Sequence, residues 1–196
     1  MTSDAEWQRI LHLLRESNRR DRGYASFFEW PDKEQKEVGI ALDLFESLSA
    51  KEGLECRKLA PRGSGNDPPD CEALDPEGRR LGIEVTELVD GSAIGRRKAG
   101  EAFHTASWDR DKFLRFVDER FTAKDIPSGV QGGPYDQYWL LIHCDEPELP
   151  FERIGQFLDG IPARSTRLID QAFLLLSYSR GHNGYPYFRI GVERAA

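Results

Sequence analysis

Near Leu54 the spacing of apolar residues changes from a helical to a strand period, and after Trp108 it changes back. A chain that alternates long amphipathic helices with short strand-length runs is an α/β protein, because neither a bundle nor a sandwich uses both periods. Before the change, Val38, Ala41, Leu42, Phe45 and Leu48 form one stripe on a helix predicted to start near Pro31 and to stop at Gly53. Proline suits a first helical turn, Asp32 and Glu34 complement the positive helix end, and glycine supplies a stop. An earlier helix is predicted over residues 4–18, with Trp7, Ile10, Leu11 and Leu14 on one face and an exposed connector, Arg19 to Tyr24, after it.

Residues 54–60 are predicted as a short strand and 61–69 (PRGSGNDPP) as a loop. The runs Asp70–Leu74 and Leu81–Leu88 flank an Asp-, Pro- and Gly-rich turn and read as a hairpin. Residues 89–108 contain Gly91, Gly95, Gly100 and the basic cluster Arg96, Arg97 and Lys98, and read as a loop or partly helical excursion. A helix over Asp109–Lys124 follows, with Phe113, Phe116, Val117 and Phe121 on one side. Beyond it come a loop over Pro127–Pro134, a buried strand over Tyr138–Cys144, a short helix over Phe151–Leu158, a strand over Ala172–Ser177 and an edge strand over Tyr185–Ile190. There is no internal repeat and no linker-like stretch, so residues 1–196 are expected to form a single domain.

Composition narrows the function classes. Thirty-nine per cent hydrophobic residues and 11% aromatics supply a core. No apolar run approaches the roughly 18–20 residues of a membrane span. The first residues, MTSDAEWQRI, lack the basic start and apolar stretch of a secretory signal. Cys56, Cys71 and Cys144 are odd in number and widely spaced, with no CxxC pair. Neither a zinc knuckle nor a disulfide scaffold is implied, and a cytoplasmic location is expected. A formal charge of -7 disfavours bulk nonspecific binding to nucleic acid, although a local basic surface is compatible with it.

The chemistry-bearing feature is the hairpin. Glu84 lies between Ile83 and Val85 in a strand where those two face one side and Glu84 and Thr86 the other. A carboxylate inside an apolar strand needs a counter-charge or donors, since burial penalises its charged form. If the register sets Asp70 beside Glu84, the two like charges raise each other's proton affinity, and a shared divalent cation removes the conflict. Hard oxygen ligands favour Mg²⁺ or Mn²⁺. A salt bridge from Glu84 to a basic side chain is the structural alternative.

The segment Pro69-Asp70…Gly82-Ile83-Glu84-Val85-Thr86 resembles the signature of the PD-(D/E)xK nuclease superfamily. The resemblance covers residues 31–144 and implies a restriction-endonuclease-like mixed central sheet flanked by helices. It also implies Mg²⁺ or Mn²⁺ held by Asp70 and Glu84, with Glu37 matching an additional acid from the preceding helix. Thr86 stands where the family's lysine is expected. A threonine hydroxyl can only hydrogen-bond, whereas a lysine helps place the attacking water and offsets phosphate charge. Lys112, early in the next helix, is the expected substitute, with Lys98 and Arg97 behind it. The implied activity is metal-dependent hydrolysis of DNA or RNA phosphodiesters by Asp70, Glu84 and Lys112. The alternative is an inactive copy of the fold serving as an interaction or nucleic-acid-binding module.

Other constellations carry less. His12, His104, His143 and His182 are dispersed, and adjacent strand positions point His143 and Cys144 to opposite faces. Arg180, His182, Asn183, Tyr185 and Tyr187 could contact phosphate or stack on a base, but Asn183-Gly184 and edge-strand tyrosines are ordinary hairpin chemistry. Arg79 and Arg80, with Arg96, Arg97 and Lys98, either line a nucleic-acid groove or are solvated loop charges.

Overall fold

The computed structural model describes residues 24–25, 32–99, 105–177, 179, 181–182 and 184–195. The helix expected over residues 4–18, together with Pro31, His12, His104, Arg180 and Asn183, lies outside the described residues.

The first described helix, α1, runs Lys33–Glu52. Asp32 caps it rather than entering it, since its carboxylate accepts the Gln35 amide at 3.0 Å. Gly53 ends it at φ 67, a left-handed conformation that turns its N–H back to the Leu48 and Ser49 carbonyls. The buried stripe is Ile40, Ala41, Leu44, Phe45 and Leu48. Leu42, expected in that stripe, is instead exposed, because at 100° per residue Leu44 falls on the face shared by Ile40 and Leu48.

The strands β1 (Arg57–Pro61), β2 (Cys71–Leu74) and β3 (Arg80–Glu87) form an antiparallel meander. The excursion after β3 contains a helix, α2 (Gly91–Lys98), capped by Asp90 through the Ser92 amide. Helix α3 (Arg110–Lys124), capped by Asp109, then leads through a short 3-10 turn to β4 (Gln137–Cys144), which pairs parallel to β3. Helix α4 (Phe151–Leu158) and β5 (Arg164–Thr166) precede β6 (Gln171–Leu176), parallel to β4. The chain closes with β7 (Tyr187–Ile190), antiparallel to β6, and β8 (Val192–Arg194), which pairs with β5. The main sheet has six strands in the order β1-β2-β3-β4-β6-β7. The architecture is therefore a mixed sheet flanked by helices. β5 and β8, three residues each, are too short for periodicity to register them.

Two apolar layers sandwich the sheet. Leu81, Ile83 and Val85 of β3 pack with Trp139, Leu141 and Phe173 beneath α1. Leu140, Ile142 and Leu174 face Phe113, Val117 and Phe121 of α3 and Ile154 of α4. The run Tyr138–Cys144 is buried on both faces, as a central parallel strand requires. Each such fully buried Leu, Ile or Phe contributes roughly 1.5–3 kcal/mol of transfer free energy.

A buried carboxylate ties the irregular segments to this frame. Glu146, just past β4, accepts the Tyr24 hydroxyl at 2.6 Å, the Trp108 indole at 3.0 Å and the Asp90 amide at 2.7 Å. The Tyr24 oxygen in turn accepts the Ala106 amide at 2.9 Å. Among the described residues, no helix is long and apolar enough to cross a membrane.

Candidate metal centre at the open end of the hairpin

The β2–β3 register pairs Cys71 with Ile83, so one step further along the antiparallel ladder Asp70 stands opposite Glu84. β2 begins at Cys71, and the second half of β3 therefore has no strand partner on that side. The Asp70 side chain takes that place, its Oδ2 accepting the Val85 amide at 2.8 Å. Asp70 and Glu84 are both buried, at 7% and 3% exposure.

Two helix ends converge here. From the first turn of α1, Lys33 Nζ reaches Glu37 Oε1 at 3.3 Å, Asp67 Oδ2 at 3.3 Å and Asp70 Oδ1 at 3.5 Å. From the last turn of α3, Lys124 Nζ donates to Glu84 Oε1. The second oxygen, Oε2, accepts the Tyr138 hydroxyl at 3.1 Å. Gly82 permits that last contact: a Cβ there would sit 3.0 Å from the Tyr138 ring and 3.2 Å from Tyr135. The glycine beside the acidic motif thus lets a tyrosine lie against β3 with its hydroxyl on Glu84.

Four carboxylates, of which Glu37, Asp70 and Glu84 are buried, and two ammonium groups leave the cluster short of positive charge. Burial, and then the neighbouring Asp70 charge, push the Glu37 carboxyl up to about 7 against the opposing pull of Lys33. Burial and Asp70 likewise raise Glu84, with Lys124 and Tyr138 lowering it in part. Burial and the Glu84 charge raise the Tyr138 phenol, which stays a donor. Among the described residues no three His, Cys, Asp or Glu side chains are assembled around one point as a ready-made ligand set. The acids are interleaved with ammonium groups instead.

Asp70, Glu84 and Glu37, chosen from the sequence, thus lie in one cluster, whereas Lys112 does not join it. At the opposite end of α3, Lys112 Nζ donates to Asp90 at 2.8 Å and to the Ser107 carbonyl at 2.7 Å, over the Trp108 ring. Lys33, Asp67, Lys124 and Tyr138 are the members of the cluster that sequence reasoning missed. Thr86 is half-buried on the Glu84 face.

The remaining candidates have structural roles or stand apart. Arg79 pairs with Asp75 in the hairpin turn. Arg80 binds Glu72 and the Gly132 and Pro134 carbonyls. Arg96 and Lys98 are exposed on α2. Tyr187 donates to Glu52, and the Tyr185 carbonyl accepts Ser47. Cys71 and Cys144 are buried free thiols, with burial pushing the Cys71 thiol up to about 12.

Beside the acid pair lies a cleft of about 280 Å³ lined by Lys33, Asp67, Pro68, Asp70, Glu84, Ala123, Lys124, Ile126 and Gly129. Compared with known proteins, the chain matches no family profile, no curated protein and no solved structure.

Proposed function

We propose that the chain is a metal-dependent phosphodiesterase acting on nucleic acid, built on a restriction-endonuclease-like core. The observation that carries this reading is the acid pair Asp70 and Glu84, set side by side across the hairpin with an ammonium group on each, in a cluster where the further carboxylates Glu37 and Asp67 outnumber the positive charge. The chain order supports it too. A helix, the hairpin that bears the acids, a later helix and another strand follow one another in the order the resemblance implies.

The donors are hard carboxylate oxygens of the kind a divalent cation takes, from Asp70 and Glu84 with Glu37 nearby, and the raised proton affinity of Glu37 and Glu84 favours added positive charge. Lys33 has a 68% exposed side chain and is able to swing away from the acids. Bound Mg²⁺ or Mn²⁺ would supply a water of lowered pKa and polarise the phosphate.

The chain's own groups do the rest. Asp70 is fixed by the Val85 amide, and Glu84 by Tyr138, so both carboxylates are oriented before a substrate arrives. Lys124 supplies the positive charge that Thr86 lacks. Its ammonium, on Glu84, would hold an attacking water by hydrogen bond and offset charge developing on the phosphate.

Cleavage of a labelled oligonucleotide with Mg²⁺ or Mn²⁺ tests the reading. The wild type is expected to cut, and Asp70→Ala, Glu84→Ala and Lys124→Met to lose about 100-fold or more. Equal activity in all four proteins overturns the assignment. Absence of cleavage together with absence of metal binding by calorimetry favours the interaction module instead.

A further inference from the structure

The cleft beside the acid pair has a mixed lining: the ionic side chains of Lys33, Asp67, Asp70, Glu84 and Lys124, and the apolar ones of Pro68, Ala123 and Ile126. Ile126 is 46% exposed, and Leu42 at 47% is the one other large apolar side chain so exposed among the described residues. Leu42 sits on the outer face of α1, away from this cleft.

The backbone holds Ile126 firmly in that position. Its amide donates to the Lys124 carbonyl at 3.0 Å, and its carbonyl accepts the Gly129 amide at 3.1 Å. The preceding Asp125 carboxylate receives the Arg167 amide at 2.8 Å and the Leu168 amide at 2.7 Å. Further on, Gln131 donates to the Pro68 carbonyl from its amide and to the Asp67 carbonyl from its side chain, each at 2.8 Å. The apolar part of the lining is thereby tied to the loop that delivers Asp70. A cleft lined by both charged and apolar groups matches a ligand that carries both a charged group and an apolar face.

A nucleotide unit has that chemistry, with its phosphate for the ionic groups and its sugar or base for the apolar ones. A cleft of about 280 Å³ lies at the lower end of the size that encloses a small ligand and has room for one such unit. In a duplex, base faces are covered by stacking neighbours, and freeing one costs a few kcal/mol. In a single strand, the faces are available to the protein.

We propose that Ile126 and Pro68 seat the sugar or base adjoining the phosphate held at the acid pair, and that the substrate is single-stranded or unpaired nucleic acid. The proposal rests on the nucleic-acid reading above and adds the form of the substrate.

The test uses one fluorescein-labelled oligonucleotide, as a single strand and annealed to its complement. Binding is followed by anisotropy with Ca²⁺, and cleavage with Mn²⁺. The single strand is expected to bind and to be cut at least about ten-fold better than the duplex. Ile126→Asn is expected to weaken single-strand binding about five-fold or more, Ile126→Val to retain it, and Leu42→Asn to leave it as in the wild type. Equal or better handling of the duplex, or wild-type binding by Ile126→Asn, overturns this inference while leaving the nuclease reading standing. A wild type that neither binds nor cuts either form overturns both.

Discussion

Glu37 carries a cost that depends on pH. Burial and the Asp70 charge hold its carboxyl at about 7, well above the ordinary carboxylate range, and Glu84 is shifted the same way. The native state therefore binds these protons more tightly than the unfolded chain. The stabilisation that Glu37 gives is complete below about pH 4.5 and is lost as pH rises through about 7. Glu37→Gln keeps the shape and removes the titration. The variant is expected to exceed the wild type in stability at pH 8 by on the order of 1–3 kcal/mol, with no gain at pH 4. Urea unfolding at the two pH values measures it; an offset of the same size at both would mean that charge is not the cause. The lost Lys33–Glu37 pair subtracts little, about 0–1 kcal/mol, because Lys33 is largely solvent-exposed.

Helix α3 presents a lysine at each end, and the two have different partners. Twelve residues separate Lys112 from Lys124, about 18 Å along a helix axis. Near Asp90, Lys112 closes a structural pair. Burial raises the Asp90 carboxyl, but Lys112 and the Ser92 hydroxyl and amide outweigh it and hold the group at about 2. Lys112→Met is expected to lower stability by about 1–3 kcal/mol near neutral pH while leaving cleavage by the folded protein intact. Because that contribution of Asp90 is present above about pH 4 and lost toward pH 2, the deficit should shrink in acid. Lys124→Met should do the reverse, losing turnover in a protein whose circular dichroism remains folded. Thermal melts beside initial rates separate the two, and a loss of activity in Lys112→Met would undo the division. The contrast also marks what the sequence makes legible. Asp70 and Glu84 could be paired from a short turn between strand-like runs, and Asp32 and Asp109 could be set at helix starts from local chemistry, although both cap their helices rather than lie within them. Choosing Lys124 needed topology, since a crossover helix runs opposite to the strands it joins and its last turn returns beside the middle of β3. Tyr138 was hidden for a related reason: it reads as core, and only its parallel register with Gly82 brings its hydroxyl to Glu84.

At the scale of the whole molecule, the acids sit where elements from both apolar layers meet. Lys33 and Glu37 come from the helix over one sheet face, and Lys124 from the helix over the other. A ligand bound there touches groups from α1, the hairpin and α3 at once, and the unfolded chain offers no equivalent arrangement. Binding to the native state alone adds stability by mass action, about 2.7 kcal/mol when free ligand is 100 times its Kd. For a chain of this length, that corresponds to a Tm increase of roughly 5–10 °C. Mn²⁺ should therefore raise the Tm of the wild type and leave Asp70→Asn unmoved. The increase should also be larger at pH 8 than at pH 6, because at the lower pH Glu37, with its carboxyl at about 7, holds a proton that the cation must displace. This readout needs no turnover, so it separates a metal centre from a cluster already satisfied by its lysines: a Tm that ignores Mn²⁺ at both pH values would mean that Lys33 and Lys124 are the permanent counter-ions of the acid pair.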